Sequence, residues 1–219
     1  MEDSSLSIGI LGTGNIGHNA AIHFVKAGHD VYLANSRGPE SLGGMVAELG
    51  PRAHAGSVAE AVAKAGIVLL SLPWQAKEAT IRAAGGPAAF AEKLVIDAMN
   101  PYTEYPAVED LGGRASSEVV AAFLDPSAKV VKAFNTIYYE SLANDARKGA
   151  PLEDRIAIPI AGDDVKAKRQ VAALIEAIGF APVDTGILAS SHAQEPEEPL
   201  YNRNFKLPEF RAELARIRR

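Results

Sequence analysis

Three glycines in the pattern GxGxxG stand near the start of this chain, between a short apolar run and a stretch with helical periodicity. The apolar run covers residues 6–11, the helix is predicted over residues 14–27, and the glycines are Gly12, Gly14 and Gly17. In this context the first glycine permits a tight turn, the second lets a ligand approach the backbone, and the third lets the helix pack closely on its strand. The motif therefore indicates a βαβ unit, which requires a parallel sheet covered by helices.

Apolar runs rich in β-branched residues continue to alternate with amphipathic stretches after this unit. Further strands are predicted over residues 31–34, 53–55, 67–72, 94–98, 129–134, 155–160 and 181–184. Further helices are predicted over residues 40–49, 58–65, 75–84, 117–124, 139–144 and 165–178. Near-continuous apolar strands that alternate with helices are typical of a sheet buried on both faces. We therefore expect an α/β fold with a doubly wound, mostly parallel sheet of the Rossmann type, a small C-terminal portion and an extended tail.

The last part of the chain differs in character from the rest. Residues 194–200 are acidic and rich in proline, and residues 208–219 are predicted to form a polar helix. We expect residues 1–186 to form one Rossmann-like domain, which fits a chain of 219 residues. Residues 187–219 are then a C-terminal extension, either frayed or packed against another surface such as a second subunit.

The composition excludes several classes of protein. The chain has no cysteine, which rules out disulfide scaffolds, thiolate nucleophiles and cysteine-ligated metal clusters. Its net charge is −5 and it has no block of basic residues, so we expect neither nucleic acid nor an anionic membrane as a partner. The histidines are scattered, and no metal site is predicted. The acidic start of the chain (residues 1–5) and the lack of a long apolar run predict a cytoplasmic protein without signal peptide or transmembrane helix.

The loop after the second predicted strand bears on which dinucleotide the glycine turn would bind. An acidic residue about 20 positions beyond the glycines usually binds the ribose 2′-hydroxyl of NAD. Here the strand is followed by Asn35, Ser36 and Arg37, with no acidic side chain. Asn35 and Ser36 can donate hydrogen bonds, and Arg37 can form a charge-assisted pair with a 2′-phosphate. The loop therefore favours NADP over NAD, and the alternative role for Arg37 is that of a solvated surface cation.

Four segments of the chain resemble one known family: IGILGTGNIG, ANSRGPESL, SLPW and VVKAFNTI. They are similar to segments of the NADP-dependent oxidoreductases that reduce the deazaflavin coenzyme F420, whose Rossmann domain also occurs in the ferrireductases of the six-transmembrane epithelial antigen family. The resemblance covers residues 6–190, and the longer tail is similar to that of a bacterial branch. It implies a homodimeric NADP-binding enzyme that passes hydride directly between the nicotinamide and a small-molecule electron acceptor, with coenzyme F420 or a flavin as second substrate.

The resemblance also implies which residues hold NADP. The pyrophosphate would be held by Gly12, Thr13, Gly14, Asn15 and Ile16, and the 2′-phosphate by Asn35, Ser36 and Arg37. The cofactor would also be lined by Ser71, Leu72 and Pro73, and its nicotinamide would be approached by Met99, Asn100, Pro101, Ala133, Phe134, Asn135 and Thr136. These segments leave predicted strand ends, where open α/β sheets bind their ligands.

The catalytic residues are not assigned by these patterns. Hydride transfer to a flavin or deazaflavin needs positioning rather than an acid–base group, whereas carbonyl reduction needs a proton donor near the nicotinamide. The candidate donors are Tyr138, Tyr139, His192 and Lys132. The alternatives are aromatic packing for the tyrosines, a surface position for the histidine and a snorkelling or salt-bridged lysine. Trp74 either caps the cofactor cleft or anchors a loop.

Two other kinds of function stay open at this point. One is an NADPH-dependent reductase of a ferric–flavin system or of a small carbonyl compound. The other is a non-catalytic NADP(H) sensor that binds a protein partner. The glycine turn and Arg37 fit all of these functions, so turnover of NADPH with an acceptor is the property that separates them.

Overall fold

A computed structural model describes residues 5–219; the first four residues, which belong to the acidic start of the chain, lie outside the described part. Within this range eight strands form one sheet, with eight α-helices around it. The strands are β1 (Ser7–Leu11), β2 (Asp30–Ala34), β3 (Ala53–Ala55), β4 (Ile67–Leu70), β5 (Leu94–Asp97), β6 (Lys129–Lys132), β7 (Ala157–Gly162) and β8 (Ala181–Gly186). The helices are α1 (Asn15–Lys26), α2 (Gly43–Leu49), α3 (Val58–Lys64), α4 (Lys77–Ala83), α5 (Ser116–Ala122), α6 (Tyr139–Asn144), α7 (Val165–Ala177) and α8 (Leu207–Ile217).

The strands lie in the order β3-β2-β1-β4-β5-β6-β7-β8. All neighbours are parallel except β6 and β7, which pair antiparallel with Lys132 opposite Ala161. The order of the first six strands is that of a doubly wound Rossmann sheet, so the carboxyl ends of β1 to β6 meet at one edge. The predicted fold class is confirmed.

Several predicted boundaries were wrong by a few residues at this edge. The strands predicted over residues 67–72 and 129–134 end at Leu70 and Lys132, because the chain turns into loops there, and Phe134 has a φ of 65°. The helices predicted over residues 40–49 and 75–84 each begin as a 3₁₀ turn, Pro39–Leu42 and Trp74–Ala76. These early turns leave backbone and side chains at the strand ends free to line a cleft.

Helices cover both faces of the sheet, as the continuous apolar strands predict. On one face Ile8 and Ile10 of β1 pack in a cluster with Phe24 of α1. On the other face Val68 of β4 packs in a cluster with Val120 of α5. All five side chains are fully buried, and burial of one such side chain contributes roughly 1.5–3 kcal/mol. The two layers therefore give the strand ends a rigid support.

The C-terminal extension folds onto the half of the sheet formed by β7 and β8. Leu207, Phe210 and Leu214 of α8 are buried in a cluster with Ala157 and Val183. The helix predicted over residues 208–219 is thus present, but it is amphipathic rather than polar, and its apolar face is used within the chain. The division of the chain at residue 186 stays a prediction. None of the helices within residues 5–219 is long and apolar enough to cross a membrane.

Candidate functional site: a cleft along the strand ends

The glycine turn between β1 and α1 has the geometry that its three glycines predict. Gly12 adopts a positive φ of 97°, and a Cβ atom there would overlap the carbonyl oxygen of Ser71. A Cβ atom on Gly17 would overlap the carbonyl oxygen of Gly12, so only glycine lets α1 approach the turn this closely. A Cβ atom on Gly14 would meet nothing within 4 Å, so the turn is open on the side where a ligand would lie.

The first turn of α1 offers backbone amides to an anion. Gly14 is the N-cap residue, no side chain caps the helix, and the first turn contains no acidic residue. The amide of His18 donates to the carbonyl of Gly14 at 2.8 Å, which is the first hydrogen bond within the helix. The amides before His18 therefore lack a partner in the helix, and they lie at the positive end of its dipole. This arrangement fits a pyrophosphate.

A cavity of 490 Å³ opens beside this turn, at the carboxyl ends of β1, β2 and β4. Much of the predicted cofactor site lines it: Gly12, Thr13, Gly14, Asn35, Ser36, Arg37, Ser71, Leu72 and Pro73. Other walls are apolar and include Leu11, Ala34 and Val58. Apolar walls with a few polar groups at one end are typical of a site for a nucleotide cofactor.

The loop after β2 brings a cation to this cavity. The guanidinium of Arg37 is exposed and has no hydrogen-bond or ion-pair partner in the part of the chain that the structure describes. The backbone amide of Arg37 donates to Oδ1 of Asn35 at 2.9 Å. Nδ2 of Asn35 donates to Oγ1 of Thr13 at 3.3 Å and to Oγ of Ser41 at 3.0 Å. Asn35 therefore ties this loop to the glycine turn, while the Arg37 side chain stays available for an anion.

A second cavity, of 390 Å³, continues the first along the edge of the sheet. The two cavities share Gly14, Ser71, Leu72 and Pro73. The second also contains the predicted residues Asn15, Ile16, Met99 and Asn100. Together the cavities form one cleft over the carboxyl ends of β2, β1, β4 and β5. It lies where the strand order reverses, which is the usual ligand crevice of such sheets.

Two aromatic residues form part of the wall of the second cavity. Trp74 is buried and its Nε1 donates to Oε2 of Glu109 at 2.6 Å, so it both lines the cleft and anchors a loop. The hydroxyl of Tyr102 hydrogen bonds with the hydroxyl of Tyr201 at 3.1 Å. Burial, and then this hydrogen bond, raises the pKa of Tyr102 above its ordinary value, so the phenol keeps its proton. Sequence reasoning missed Tyr102, and its position shortly after Asn100 was the signal available.

Five buried residues that were predicted to approach the nicotinamide line neither cavity and lie beneath the cleft: Pro101, Ala133, Phe134, Asn135 and Thr136. Ala133 is fully buried and Asn135 is 5% exposed. Nδ2 of Asn135 donates to Oδ1 of Asn100 at 3.1 Å and to the carbonyl of Gln194 at 2.7 Å. Nδ2 of Asn100 donates to the carbonyl of Asn135 at 3.0 Å. Asn135 therefore holds Asn100 from behind, and its direct contact with a cofactor stays a prediction.

Lys132, a candidate proton donor, is fully buried in an ion pair. Its Nζ lies 3.1 Å from Oδ2 of Asp97. It also donates to the carbonyl of Met99 at 2.6 Å and to the hydroxyl of Ser116 at 2.9 Å. The three ammonium protons thus have three acceptors inside the protein. The snorkelling alternative was wrong because the whole side chain is buried, and the lysine is salt-bridged.

The other candidate donors also lie outside both cavities. His192 lines a separate groove of 660 Å³, where its Nδ1 is 3.6 Å from Oε1 of Glu198. The rings of Tyr138 and Tyr139 pack against each other with centroids 4.7 Å apart, and Tyr138 is 40% exposed. Hydrogen bonds with Tyr138 and Glu140 raise the pKa of Tyr139 to about 12. Among residues 5–219, no three potential metal ligands come together.

The chain is similar in sequence to a known family and to a curated reductase. Residues 7–101 match the family described as NADP oxidoreductase coenzyme F420-dependent. The chain is 30% identical over 188 residues to the metalloreductase STEAP3 of Rattus norvegicus, a match that covers 86% of this chain and 35% of the rat protein. The chain thus spans about a third of the length of that curated relative.

Two solved structures are similar over nearly all of the chain. The hypothetical protein SMa0349 from Sinorhizobium meliloti is 36% identical, with a TM-score of 0.81 over 94% of this chain and 97% of that one. A protein from an Arthrobacter species, assigned as an F420-dependent NADP reductase, is 25% identical, with a TM-score of 0.74 over 86% of this chain and 88% of that one.

The matches and the geometry concern the same part of the molecule. The region that matches the family, residues 7–101, contains β1 to β5 and the whole glycine turn, which build most of the cleft. The family resemblance drawn from the sequence is confirmed. Over residues 7–101 the chain belongs to the family of coenzyme F420-dependent NADP oxidoreductases, and over nearly all of its length it shares the fold of the two similar solved structures.

Proposed function

We propose that this protein transfers hydride between NADP(H) and the ring of a flavin-type acceptor, either the deazaflavin coenzyme F420 or a flavin. The observation that carries the proposal is the continuous cleft, with the unpaired Arg37 in one half and the aromatic wall at Tyr102 in the other. When bound, NADPH supplies the hydride, and a proton from solvent completes the reduction of the acceptor. Because the coenzymes carry this chemistry, the protein has to position them rather than to provide an acid–base group.

Each half of the cleft has its own task in this proposal. The glycine turn and the first amides of α1 hold the pyrophosphate, and Arg37 with Ser36 holds the 2′-phosphate. The nicotinamide lies in the second cavity, beside Leu72 and Met99. An F420-dependent activity is also what is assigned to the similar Arthrobacter protein, which supports the choice of acceptor.

Turnover of NADPH tests the choice of acceptor. We expect the protein to oxidise NADPH when oxidised coenzyme F420 or a free flavin is the acceptor, each tested in its own cuvette. Near-ultraviolet absorbance measures the loss of NADPH. Saturable NADPH binding without turnover by either acceptor would contradict the proposal. That result would favour the non-catalytic sensor instead.

The variant Arg37→Ala tests the role of this residue in binding NADP. Loss of a charge-assisted pair with the 2′-phosphate should weaken NADPH binding by ~1.5–3 kcal/mol, which is roughly a 10- to 150-fold rise in Kd. NADH, which lacks that phosphate, should bind equally to both proteins. Arg169→Ala, on the exposed surface of α7, is the matched control and should change neither Kd. Equal losses for both dinucleotides would disprove the assignment of Arg37.

A small-carbonyl reductase is the second candidate, because Tyr102 lines the second cavity and its phenol, which donates to the hydroxyl of Tyr201, can turn that proton to the carbonyl oxygen of a bound substrate. The variant Tyr102→Phe separates the two candidates. Carbonyl reduction should lose kcat in this variant, whereas hydride transfer to a flavin ring should keep it.

We also propose that the protein is a homodimer. The apolar face of α8 is used within the chain, so the interface needs another surface. Two exposed apolar side chains, Ile187 at 60% and Val165 at 57%, mark the candidate surface. The molecular mass measured by light scattering should be that of a dimer for the native chain and that of a monomer for Ile187→Asp. A native monomer at every concentration would exclude this assembly. The cytoplasmic location stays a prediction.

A further inference from the structure

We propose that Asn35 is a positioning residue that joins the glycine turn to the loop after β2, and that it strengthens the preference for NADP over NAD without contacting the 2′-phosphate. This inference rests on the proposed function, because it takes NADP(H) as the ligand of the first cavity. It goes further, since the specificity for this cofactor then depends on a side chain whose hydrogen bonds all lie within the protein.

The side-chain amide of Asn35 has no donor left for a ligand. Its Nδ2 carries two protons, which it donates to Oγ1 of Thr13 at 3.3 Å and to Oγ of Ser41 at 3.0 Å. Its Oδ1 accepts from the backbone amide of Arg37 at 2.9 Å. Phosphate oxygens are acceptors and need donors. Direct contact between Asn35 and the 2′-phosphate would therefore break one of these bonds.

The two side chains that follow Asn35 differ from it in this respect. Ser36 and Arg37 are exposed, and both line the first cavity. Within residues 5–219, neither the hydroxyl of Ser36 nor the guanidinium of Arg37 has a partner in the protein. The donors that are free to bind a 2′-phosphate thus belong to Ser36 and Arg37, and Asn35 supports the loop that carries them.

Asn35 holds the backbone of this loop in a turn. The bond from the amide of Arg37 to Oδ1 of Asn35 joins residues two positions apart, which is the pattern of an Asx turn. Gly38 then turns the chain with a φ of 87°, and its carbonyl accepts from the hydroxyl of Ser41 at 2.7 Å. The backbone of Arg37 is thus fixed on both sides. A loop that already has its bound conformation needs less ordering when a ligand binds.

The other end of the Asn35 amide acts on the glycine turn. Because Nδ2 donates to Oγ1 of Thr13, this oxygen is the acceptor and keeps its own proton for another group. In the part of the chain that the structure describes, that proton has no acceptor. Thr13 lines the first cavity and directly precedes Gly14, the N-cap of α1. Its hydroxyl is therefore able to donate to a pyrophosphate oxygen beside the free amides of the helix.

A single side chain thus serves both phosphate sites, and its loss should affect the two dinucleotides differently. The part that passes through Thr13 is common to NADPH and NADH, because both contain a pyrophosphate. The part that passes through Arg37 concerns NADPH alone, because NADH lacks the 2′-phosphate. The ratio of the two Kd values therefore reports on the loop, separately from the turn.

Isothermal titration calorimetry of Asn35→Ala with NADPH and with NADH measures this ratio. We expect the Kd of NADPH to rise about 10- to 30-fold and that of NADH about threefold, because a loosened loop and turn have to be ordered on binding. Asn144→Ala is the matched control, since Asn144 is exposed on α6 and its Nδ2 donates to the carbonyl of Glu140. This control should change neither Kd.

Double variants separate positioning from direct contact. In the Arg37→Ala background, Asn35→Ala should raise the two Kd values by nearly the same factor, about threefold, because the side chain that the turn positions is gone. In the Thr13→Val background, Asn35→Ala should leave the Kd of NADH unchanged. If Asn35 bound the 2′-phosphate itself, its NADPH-specific loss would persist in full without Arg37, and that result would overturn the inference.

Two further measurements complete the test. Ser41→Ala removes one acceptor of Nδ2 and should lower the preference for NADPH by about two- to threefold, so it replaces Asn35→Ala if that variant fails to fold. Equal weakening of NADPH and NADH by Asn35→Ala or, in its place, by Ser41→Ala would indicate a general structural effect and overturn the inference. If the Kd values change as expected but neither coenzyme F420 nor a flavin is reduced, the proposed hydride transfer fails while the role of Asn35 holds.

Discussion

The buried ion pair between β5 and β6 gives a sharp test of what holds the floor of the cleft. Both side chains, Lys132 and Asp97, have an exposure of 0%, and their charged atoms are 3.1 Å apart. Substitution Lys132→Met keeps most of the side-chain volume but removes the ammonium group. The Asp97 carboxylate would then keep the hydroxyl of Ser117 at 2.6 Å and the amide of Met99 at 3.0 Å as its partners.

The cost of this substitution follows from the charge that is left behind. Removal of one partner of a buried ion pair typically destabilises a protein by about 3–5 kcal/mol, because the other charge stays buried without compensation. Since domains are commonly stable by about 5–15 kcal/mol, Lys132→Met should lower the urea midpoint substantially. The double variant Lys132→Met with Asp97→Asn removes the stranded charge. We therefore expect the double variant to be more stable than Lys132→Met alone.

An exposed pair in the same sheet provides the control. Arg52 and Asp30 lie 3.3 Å apart, with side chains 44% and 37% exposed. Arg52→Met should cost only about 0.2–1 kcal/mol, because water already solvates both charges. Urea unfolding, monitored by circular dichroism and by the fluorescence of Trp74, measures the free energy of unfolding of each variant. The two probes should give the same value. A loss for Lys132→Met no larger than that for Arg52→Met would refute the reasoning.

Three further changes test other parts of the structure. Gly17→Ala should raise the Kd for NADPH at least tenfold, about 1.4 kcal/mol, because the new Cβ atom overlaps the glycine turn. Gly44→Ala, in open space on α2, should instead stabilise the protein by about 0.5–1 kcal/mol. The same rise in the Kd for NADPH in both variants would contradict the steric argument. Burial lowers the pKa of His23 in the folded state, so the folded state binds fewer protons and unfolding becomes easier as pH falls below about 6.5. His23→Gln should reduce the pH dependence of the unfolding free energy measured by urea titration. If that dependence is unchanged in the variant, another group causes it. Tyr201→Phe should raise KM for the acceptor but not the Kd for NADPH, because it removes only the hydrogen bond to Tyr102.

The first cavity, which we propose for NADP, could be predicted from the sequence because it is built locally. The glycine turn follows β1 directly, and Arg37 and Ser71 follow the ends of β2 and β4. In a parallel sheet the ends of these neighbouring strands must lie side by side, so the motif and the strand pattern suffice to bring such residues together. No knowledge of distant contacts was needed.

The second cavity and the residues beneath it could not be predicted in the same way, since their contacts join distant parts of the chain. Tyr102 and Tyr201 are 99 positions apart, and Asn135 and Gln194 are 59 positions apart. Neither pair belongs to a recognisable spacing motif, so no local pattern indicates that they meet. They meet because the chain beyond β8 returns past α5 and β6 to the edge that carries the cleft.

The antiparallel pairing of β7 explains both this return and the burial of Lys132. If the sheet ended at β6, this strand would be an edge strand, and a lysine at its carboxyl end would be able to reach water. With β7 paired beside it, Lys132 lies opposite Ala161 inside the sheet and has to find its acceptors within the protein. The parallel strand β8 then runs away from the cleft, and the following segment turns back, so that Gln194 donates to Oγ1 of Thr185 in β8 at 2.7 Å and its carbonyl accepts from Asn135 at 2.7 Å. A single change of strand direction therefore buries the lysine and directs the extension toward the second cavity.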